Sequence, residues 1–179
     1  MTEGAERIMI LSRTLARRRV ALGFVMAAVV AVIADPTWRT WQIGLVVAAA
    51  GEALRIWAAG HLEKSREVTR SGPYRWTRHP LYAGSAVIAA GVAVASNSVL
   101  VAVLAVMYVV ATIGAAIRRE EAFLRQAFGD AYDLYQRNEA EPMGRRFSLE
   151  RAVRNREYRA VLGLAVGFAL LALKVVLPI

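Results

Sequence analysis

The sequence predicts an all-α fold: a polytopic membrane helical bundle of about five transmembrane helices, forming a single domain over residues 1–179. Three observations lead to this prediction. Hydrophobic residues make up 57% of the chain, which is high for a soluble domain. The segment from Pro80 to Ile117 contains no charged residue, and the basic residues cluster in the segments between the apolar runs. Backbone groups in lipid must be hydrogen-bonded within their own segment, so these runs are expected to be helices.

Five spans follow one another along the chain: Val20–Ala34, Trp41–Ala59, Leu81–Ala95, Val99–Ile117 and Tyr158–Leu177. One helix from Pro80 to Ile117 would be roughly 57 Å long, nearly twice a hydrocarbon core of about 30 Å. The chain must therefore turn back within this segment, and the polar triplet 96–98 (Ser-Asn-Ser) marks the turn. The third and fourth spans are thus predicted to form an antiparallel hairpin.

The first span also has a second interpretation. Arg17–Arg19, the apolar segment after them and Ala34 at its end match the pattern of a signal peptide. The segment 35–41 holds two tryptophans and leads directly into another apolar span, which favours a hairpin with an interfacial aromatic belt.

The distribution of lysine and arginine predicts the orientation. Of the 23 basic residues, all but Arg39, Arg55 and Lys174 lie before the first span, between the second and third, or from the end of the fourth to Arg159 at the start of the fifth. Because cytoplasmic loops are enriched in these residues, the N-terminus and both long loops are expected to be cytoplasmic. The Ala/Val/Arg-rich composition hints at a bacterium, so we expect a multi-pass protein of the bacterial inner membrane.

Composition also argues against several other classes of function. The net charge of +9 is explained by topology and anionic lipid, and no nucleic-acid-binding motif accompanies it. With no cysteine there is no disulfide framework, thiolate metal site or thiol nucleophile. Two histidines are too few to predict a metal site, so none is expected.

A polar segment, SGPYRWTRHPLYAG (residues 71–84), lies at the start of the third span. Residues 71–73 favour a turn, and Pro80 suits the first turn of a helix. His79 precedes a proline and is therefore biased towards extended backbone. Arg78, His79 and Tyr82 are thus predicted at the mouth of the third span, near the positive end of its dipole.

An acidic pair, Glu120 and Glu121, follows the fourth span. This helix is predicted to continue to Phe128 and to stop at Gly129, and a short helix over 130–138 follows. Adjacent helical residues point about 100° apart, so one glutamate can face the bundle while the other pairs outward. Helical spacing offers Arg125 as the partner of Glu121. The hairpin brings this pair to the same membrane face as the polar segment.

The pattern Arg-His-Pro-x-Tyr-x-Gly, a long apolar interval, Glu120-Glu121 and Phe128-Gly129 resembles the isoprenylcysteine carboxyl methyltransferase and phospholipid N-methyltransferase superfamily. These are integral-membrane enzymes that use S-adenosylmethionine. The resemblance covers about residues 60–138. It implies that both motifs hold the cofactor, and the implied cofactor-binding residues are Arg78, His79, Pro80, Leu81, Tyr82, Gly84, Glu120 and Glu121.

Catalytic candidates depend on the acceptor, which we expect to be a lipidic or hydrophobic small molecule that enters from the membrane. A carboxylate acceptor needs a cation to orient it, and Arg75, Arg118 or Arg119 could serve. An amine acceptor must lose a proton, for which Glu120 is the candidate. Glu52 and Arg55 are expected to neutralise each other within the second span, as an intramembrane pair that could line an acceptor cavity.

Two other functions compete with methyl transfer. Sterol-reductase-like proteins resemble this family in the Arg-His-Pro-x-Tyr region, so an NAD(P)H-dependent membrane reductase is one alternative. A non-catalytic membrane scaffold or carrier is the other. The basic segment 139–158 is expected to lie on anionic lipid or to cap the cofactor, with the first favoured. His61, Glu63 and Lys64 are expected at the loop surface, and Tyr132 and Tyr135 are expected to be packing residues.

Overall fold

The computed structural model describes residues 23–177, and within them every regular element is helical. Seven α-helices follow one another: α1 (Gly23–Ile33), α2 (Trp38–Ala59), α3 (Pro80–Ser96), α4 (Val99–Phe128), α5 (Asp130–Gln136), α6 (Leu149–Arg154) and α7 (Tyr158–Val176). A single 3-10 turn, Gly72–Arg75, precedes α3. The all-α membrane bundle predicted from the sequence is confirmed.

Each predicted span that falls within the described residues coincides with a helix. The helices α2, α4 and α7 are long and apolar enough to cross a membrane, whereas α1 and α3 are shorter apolar helices. The first three residues of the predicted span Val20–Ala34 and the basic triplet Arg17–Arg19 lie outside the described residues, and so does the basic part of the signal-peptide interpretation.

The turn between α3 and α4 has the predicted position. Asn97 ends α3 in the left-handed conformation (φ 51°), and the Ser98 side chain accepts a hydrogen bond from the Val101 N–H at the start of α4. Asp35 N donates to Ser96 O at 2.9 Å, so the α1–α2 loop meets this turn at the same end of the bundle. We call this the turn end and the opposite one the lip end.

The closest helix packing is between α2 and α3, and small residues make it possible. A Cβ atom on Gly51 would lie 2.7 Å from Gly84 O, and one on Gly91 would lie 2.6 Å from Ala48 N. The two backbones are therefore nearly in contact, as in membrane helix pairs built on small residues. Helix α7 also packs on α2, where Trp41 Nε1 donates to Phe168 O at 2.9 Å.

At the lip end, the segment after α5 folds back over the α2–α3 loop. Arg145 makes a two-pronged ion pair with Glu67 (2.5 and 2.8 Å), and Arg151 Nε lies 2.9 Å from a Glu63 oxygen. Ser148 N donates to Gly60 O at 3.1 Å. The expectation that segment 139–158 lies on lipid is corrected for Arg145 and Arg151, because both pair with acidic residues of the protein.

Candidate functional site

The predicted meeting of the polar segment with the acidic pair is present at the lip end. His79 Nε2 lies 2.9 Å from Glu121 Oε1, and Arg78 Nη1 lies 3.9 Å from the same oxygen. His79 and Glu121 are 42 positions apart along the chain and meet because α3 and α4 are antiparallel. We call residues 78–82 together with Glu121 the lip site.

Local sequence explains how the α3 side of the lip site is positioned. Pro80 is the first residue of α3, and His79 just before it has a non-helical backbone (φ −131°, ψ 53°). Its carbonyl accepts from the Tyr82 and Ala83 N–H groups at 3.1 and 3.0 Å, which closes the first turn. The His79 and Tyr82 rings lie 5.9 Å apart between centroids, so an aromatic wall faces the first turn.

The two neighbouring glutamates have different surroundings, as their 100° separation predicts. Glu121 contacts the lip, whereas the negative charge of Glu120 acts on the tyrosines Tyr74 and Tyr135. Burial, and then Glu120, raises the pKa of Tyr74. Burial, followed by Tyr132, raises the pKa of Tyr135 to about 12, so both phenols are neutral hydrogen-bonding groups.

The tyrosines hold α5 against the loop before α3. Tyr135 donates its hydroxyl hydrogen to Tyr74 O at 2.7 Å, and Tyr132 is fully buried beside it. Burial also raises the pKa of Tyr132. Helix α5 is thereby held beside the lip site, near enough for the charges of Glu121 and Arg78 to act on Tyr132.

One predicted ion pair is wrong. The spacing on α4 suggested that Glu121 pairs with Arg125. Arg125 instead contacts Asp133 of α5 (3.1 Å) and Gln136 (2.6 Å), while Glu121 turns towards His79. Helical spacing identifies neighbours on one helix but says nothing of partners on another.

The other predicted site residues lie around the lip site without joining one cluster. Arg75, Arg118 and Arg119 are exposed. Gly84 is buried against α2, where a Cβ would meet Arg55 and Gly51, so it has a packing role of its own. Leu81 lies on the same side, and its carbonyl accepts from Arg55 Nη1 at 3.4 Å.

A second group of polar residues, which the sequence only partly indicated, lies one turn deeper. Arg55 contacts Glu157 at 2.6 Å and Glu52 at 3.7 Å, and it donates to Ser85 Oγ at 2.5 Å. Arg55 was expected to pair with Glu52, but its closer acidic partner is Glu157, at the start of α7. No sequence pattern connects Glu157 to α2, since the two are more than 100 residues apart.

This buried group forms the polar end of a large apolar cavity. The cavity has a volume of about 840 Å³ and is bounded by residues of α1, α2, α3, α4 and α7. Glu52, Arg55 and Ser85 line it, and so do Ala160, Gly163 and Gly167 of α7. Arg55 donates to Leu81 O and to Ser85 Oγ, so the polar end of the cavity adjoins the first two turns of α3.

Of the three loop residues expected at the surface, Lys64 is exposed, whereas His61 and Glu63 are part of the packing. His61 is buried, shares a 3.1 Å hydrogen bond between Nδ1 and Ser71 Oγ, and lies beside Phe147. Burial, and then the charges of Arg151 and Arg145, lowers the pKa of His61. The hydrogen bond from Arg151 lowers the pKa of Glu63.

The phospholipid methyltransferase family matches residues 18–131 of this sequence. The match spans more than half of the chain and includes α3, both glutamates and the whole of α4, so the chain belongs to that family. This confirms the superfamily resemblance, and it supports membrane methyltransferase activity. Comparison with curated proteins gave no match, and neither did comparison with solved structures.

Proposed function

We propose that this protein is an S-adenosylmethionine-dependent methyltransferase that acts on a lipidic or hydrophobic acceptor, a carboxylate or an amine, at the cytoplasmic face of the membrane. One observation carries the proposal: in a chain of the phospholipid methyltransferase family, His79 and Glu121 meet within 2.9 Å across the α3–α4 hairpin. The α3 part and the α4 part of the motif that characterises the superfamily are therefore in contact at His79 and Glu121.

The lip site has the chemistry that this cofactor requires. Its ligand would present an ammonium, a carboxylate, ribose hydroxyls and an adenine. Glu121 offers acceptor oxygens, Arg78 offers a guanidinium with 39% of its side chain exposed, and His79 and Tyr82 offer ring faces. His79 Nδ1 is buried and has no hydrogen-bond partner among the described residues. Such an unpartnered buried group suits a site that a ligand completes.

Each residue of the lip site has a definite task in this proposal. Glu121 accepts from the ammonium or a ribose hydroxyl while it orients His79. Arg78 and the first turn of α3, which Pro80 and Leu81 begin, receive the carboxylate. Tyr82 packs on the adenine or faces the sulfonium, a cation–π contact worth about 0.5–2 kcal/mol. When bound, S-adenosylmethionine supplies an electrophilic methyl group on its sulfur.

The residues on the acceptor side depend on the acceptor. Glu120 faces the buried tyrosines and is the candidate to take a proton from an amine. Arg75 or Arg118 would instead orient a carboxylate, which needs no base. In either case the chain contributes chiefly by holding two reactants in line and by excluding water.

Titration of the purified protein in detergent tests the proposal. Isothermal calorimetry with S-adenosylmethionine, its demethylated product and NADPH separates a methyltransferase from a reductase and from a scaffold. We expect saturable binding of both sulfur compounds and none of NADPH. Micromolar binding of NADPH without binding of either sulfur compound would reject the proposal in favour of a reductase, and binding of none of the three would favour a scaffold.

A further inference from the structure

The hydroxyl group of Tyr132, on α5, is buried and has no hydrogen-bond partner among the described residues. Tyr132 is 0% exposed, so solvent at the surface does not reach this hydroxyl either. Nearly all buried polar groups in proteins have a partner, and leaving one without a partner is costly. The hydroxyl of Tyr132 therefore requires an explanation other than packing.

The second tyrosine of α5 shows the opposite arrangement. Tyr135 donates its hydroxyl hydrogen to Tyr74 O at 2.7 Å, which attaches α5 to the loop before α3. The rings of Tyr132 and Tyr135 lie 6.3 Å apart between centroids, so both also contribute apolar packing. A phenylalanine at position 132 would supply the same ring without a buried polar group. The hydroxyl of Tyr135 thus has a structural role, whereas that of Tyr132 has none within the described residues.

The Tyr132 hydroxyl lies within reach of the charges of the lip site. Arg125 of α4 contacts Asp133, the residue after Tyr132, at 3.1 Å, so this end of α5 is held beside α4. Among the charged groups that act on the Tyr132 phenol, Glu121 has the largest effect and Arg78 the next. The start of α3, the cytoplasmic-loop part of α4 and α5 therefore bring polar groups to one place.

The hydroxyl is suited to donate and not to take up a proton. Burial, and then the charge of Glu121, raises the pKa of Tyr132, so the phenol stays neutral and keeps its hydrogen. Arg78 is also a donor, and 39% of its side chain is exposed. A carboxylate offers two oxygens with about four acceptor positions, so it can accept from both groups at once.

We propose that Tyr132 is a ligand-binding residue: its hydroxyl, together with Arg78, donates to the carboxylate of S-adenosylmethionine, while Glu121 binds the ammonium of the same amino-acid end. A hydrogen bond from an O–H group to a carboxylate is charge-assisted and stronger than one between neutral groups. The identity of the ligand rests on the proposed function. The family match ends at residue 131, so it assigns no role to Tyr132.

Because the hydroxyl is buried, α5 must move for a ligand to reach it. This helix is only seven residues long, and the ion pair between Arg125 and Asp133 that holds it is exposed (57% and 38% of the side chains). Exposed ion pairs contribute little to stability, so they oppose such a movement weakly. The return of α5 would enclose the amino-acid end of the ligand and exclude water from it.

A comparison of two ligands tests the proposal on the purified protein in detergent. Isothermal calorimetry measures binding of S-adenosylhomocysteine, the demethylated product, and of its decarboxylated form, which keeps the ammonium. Tyr132→Phe should weaken binding of S-adenosylhomocysteine at least about tenfold and change that of the decarboxylated form less than about twofold. Unchanged affinity for S-adenosylhomocysteine, or an equal loss for the two compounds, would overturn the proposal.

Two further tyrosine variants serve as controls. Tyr158→Phe removes the hydroxyl of a residue that is 51% exposed, and it should bind both compounds as the wild type does. Tyr135→Phe loses the bond to Tyr74 O and should lower the Tm of the ligand-free protein. Tyr132→Phe should instead leave that Tm unchanged or raise it, because it removes an unpaired polar group. A fall in Tm as large as that of Tyr135→Phe would show that the Tyr132 hydroxyl is bonded within the protein and would overturn the proposal.

The same measurements separate this proposal from the proposed function. A wild type that binds S-adenosylhomocysteine, with equal affinity in Tyr132→Phe, would remove Tyr132 from the site and leave the proposed function standing. A wild type that binds neither S-adenosylmethionine nor S-adenosylhomocysteine would reject both.

Discussion

At the scale of the residue, the two adjacent glutamates of α4 lie in different environments. Glu121 contacts His79 and Arg78, and Glu120 acts on Tyr74. The division follows from one helical step, since neighbours point about 100° apart. A mutational test can therefore assign them separately.

We predict that His79→Ala and Glu121→Gln each weaken S-adenosylmethionine binding by about 1–3 kcal/mol, the cost of leaving a buried polar partner unpaired. Glu120→Gln should also weaken it by about 1–3 kcal/mol if Glu120 holds the cofactor. Calorimetric affinities measure this, and Glu139→Gln is the matched control because the Glu139 side chain is 54% exposed. Wild-type affinity in His79→Ala and Glu121→Gln would remove both residues from the site.

The second residue-scale prediction concerns pH. The pKa of His61 in the folded protein is lowered by burial, and then by Arg151 and Arg145, from its ordinary value of 6.5. The unfolded chain therefore takes up a proton first as the pH falls, and the folded state loses stability from about pH 6.5 down to the folded pKa. Above about pH 6.5 His61 contributes no pH dependence.

His61→Gln should remove this acid sensitivity. We expect the unfolding free energy to fall less between pH 7.5 and pH 5.5 in this variant than in the wild type. Thermal unfolding in detergent at a series of pH values measures it. Identical pH profiles for the two proteins would show that His61 is not the group responsible.

At the scale of the element, the contact between α2 and α3 depends on the absence of side chains. Gly51→Val would drive branched methyls into the backbone of α3, where Gly84 O and Ile88 N lie within 2.8 Å of a built Cβ. Overpacking of this kind costs about 1–3 kcal/mol, and we predict a corresponding fall in the apparent melting temperature.

Gly114→Ala on α4 is the matched control. The atom nearest to its built Cβ is Arg118 Nη1 at 4.0 Å, so the added methyl has space. Alanine is the better helix former, and the variant should be unchanged or more stable by about 0.5–1 kcal/mol. An equal loss of stability in both variants would show that helix interiors, and not the α2–α3 contact, determine the result.

The elements themselves were largely predictable because their signals are local. Pro80 begins α3, the polar triplet 96–98 forms the turn, and Gly129 ends α4. Each of these positions follows from the backbone preference of the residue that occupies it. The meeting of the lip with Glu121 followed from the antiparallel hairpin alone. What the hairpin cannot specify is which side of α3 each residue occupies, so the packing of Gly84 against α2 could not be predicted from the sequence.

Contacts between distant segments were not predictable from spacing. Three arginines pair with acidic residues of another segment: Arg125 with Asp133, Arg55 with Glu157, and Arg145 with Glu67. These pairs depend on how helices and loops pack. Each arginine had a nearer acidic residue along the chain or an expected lipid partner. Long, flexible cationic side chains reach whichever acid the tertiary structure presents, and local sequence does not encode that geometry.

At the scale of the whole molecule, the orientation in the membrane remains a prediction, and the absence of cysteine makes it simple to test. Gly144 lies at the lip end with no atom within 4 Å of a built Cβ, and Asp35 is exposed at the turn end. We expect an impermeant maleimide applied to intact cells to label Asp35→Cys but to label Gly144→Cys only after the membrane is opened.

Both cysteine variants should react fully once the protein is unfolded, which serves as the control for reactivity. Labelling of Gly144→Cys in intact cells would place the lip end outside. The proposed cofactor site would then face a compartment without the soluble cofactor, and the positive-inside expectation would be wrong.

The length of α3 has a consequence for the lipid around the protein. With 17 residues it is about 25 Å long, shorter than a typical hydrocarbon core of about 30 Å. A thick bilayer must thin locally or draw the first turn of this helix below the phosphate level, and a thin one raises that turn towards water. The acyl-chain length of the host membrane thereby determines how far below the phosphate level a water-soluble ligand of the lip site must reach. The turnover rate of the protein should therefore vary with membrane thickness even where the lipid head groups are identical.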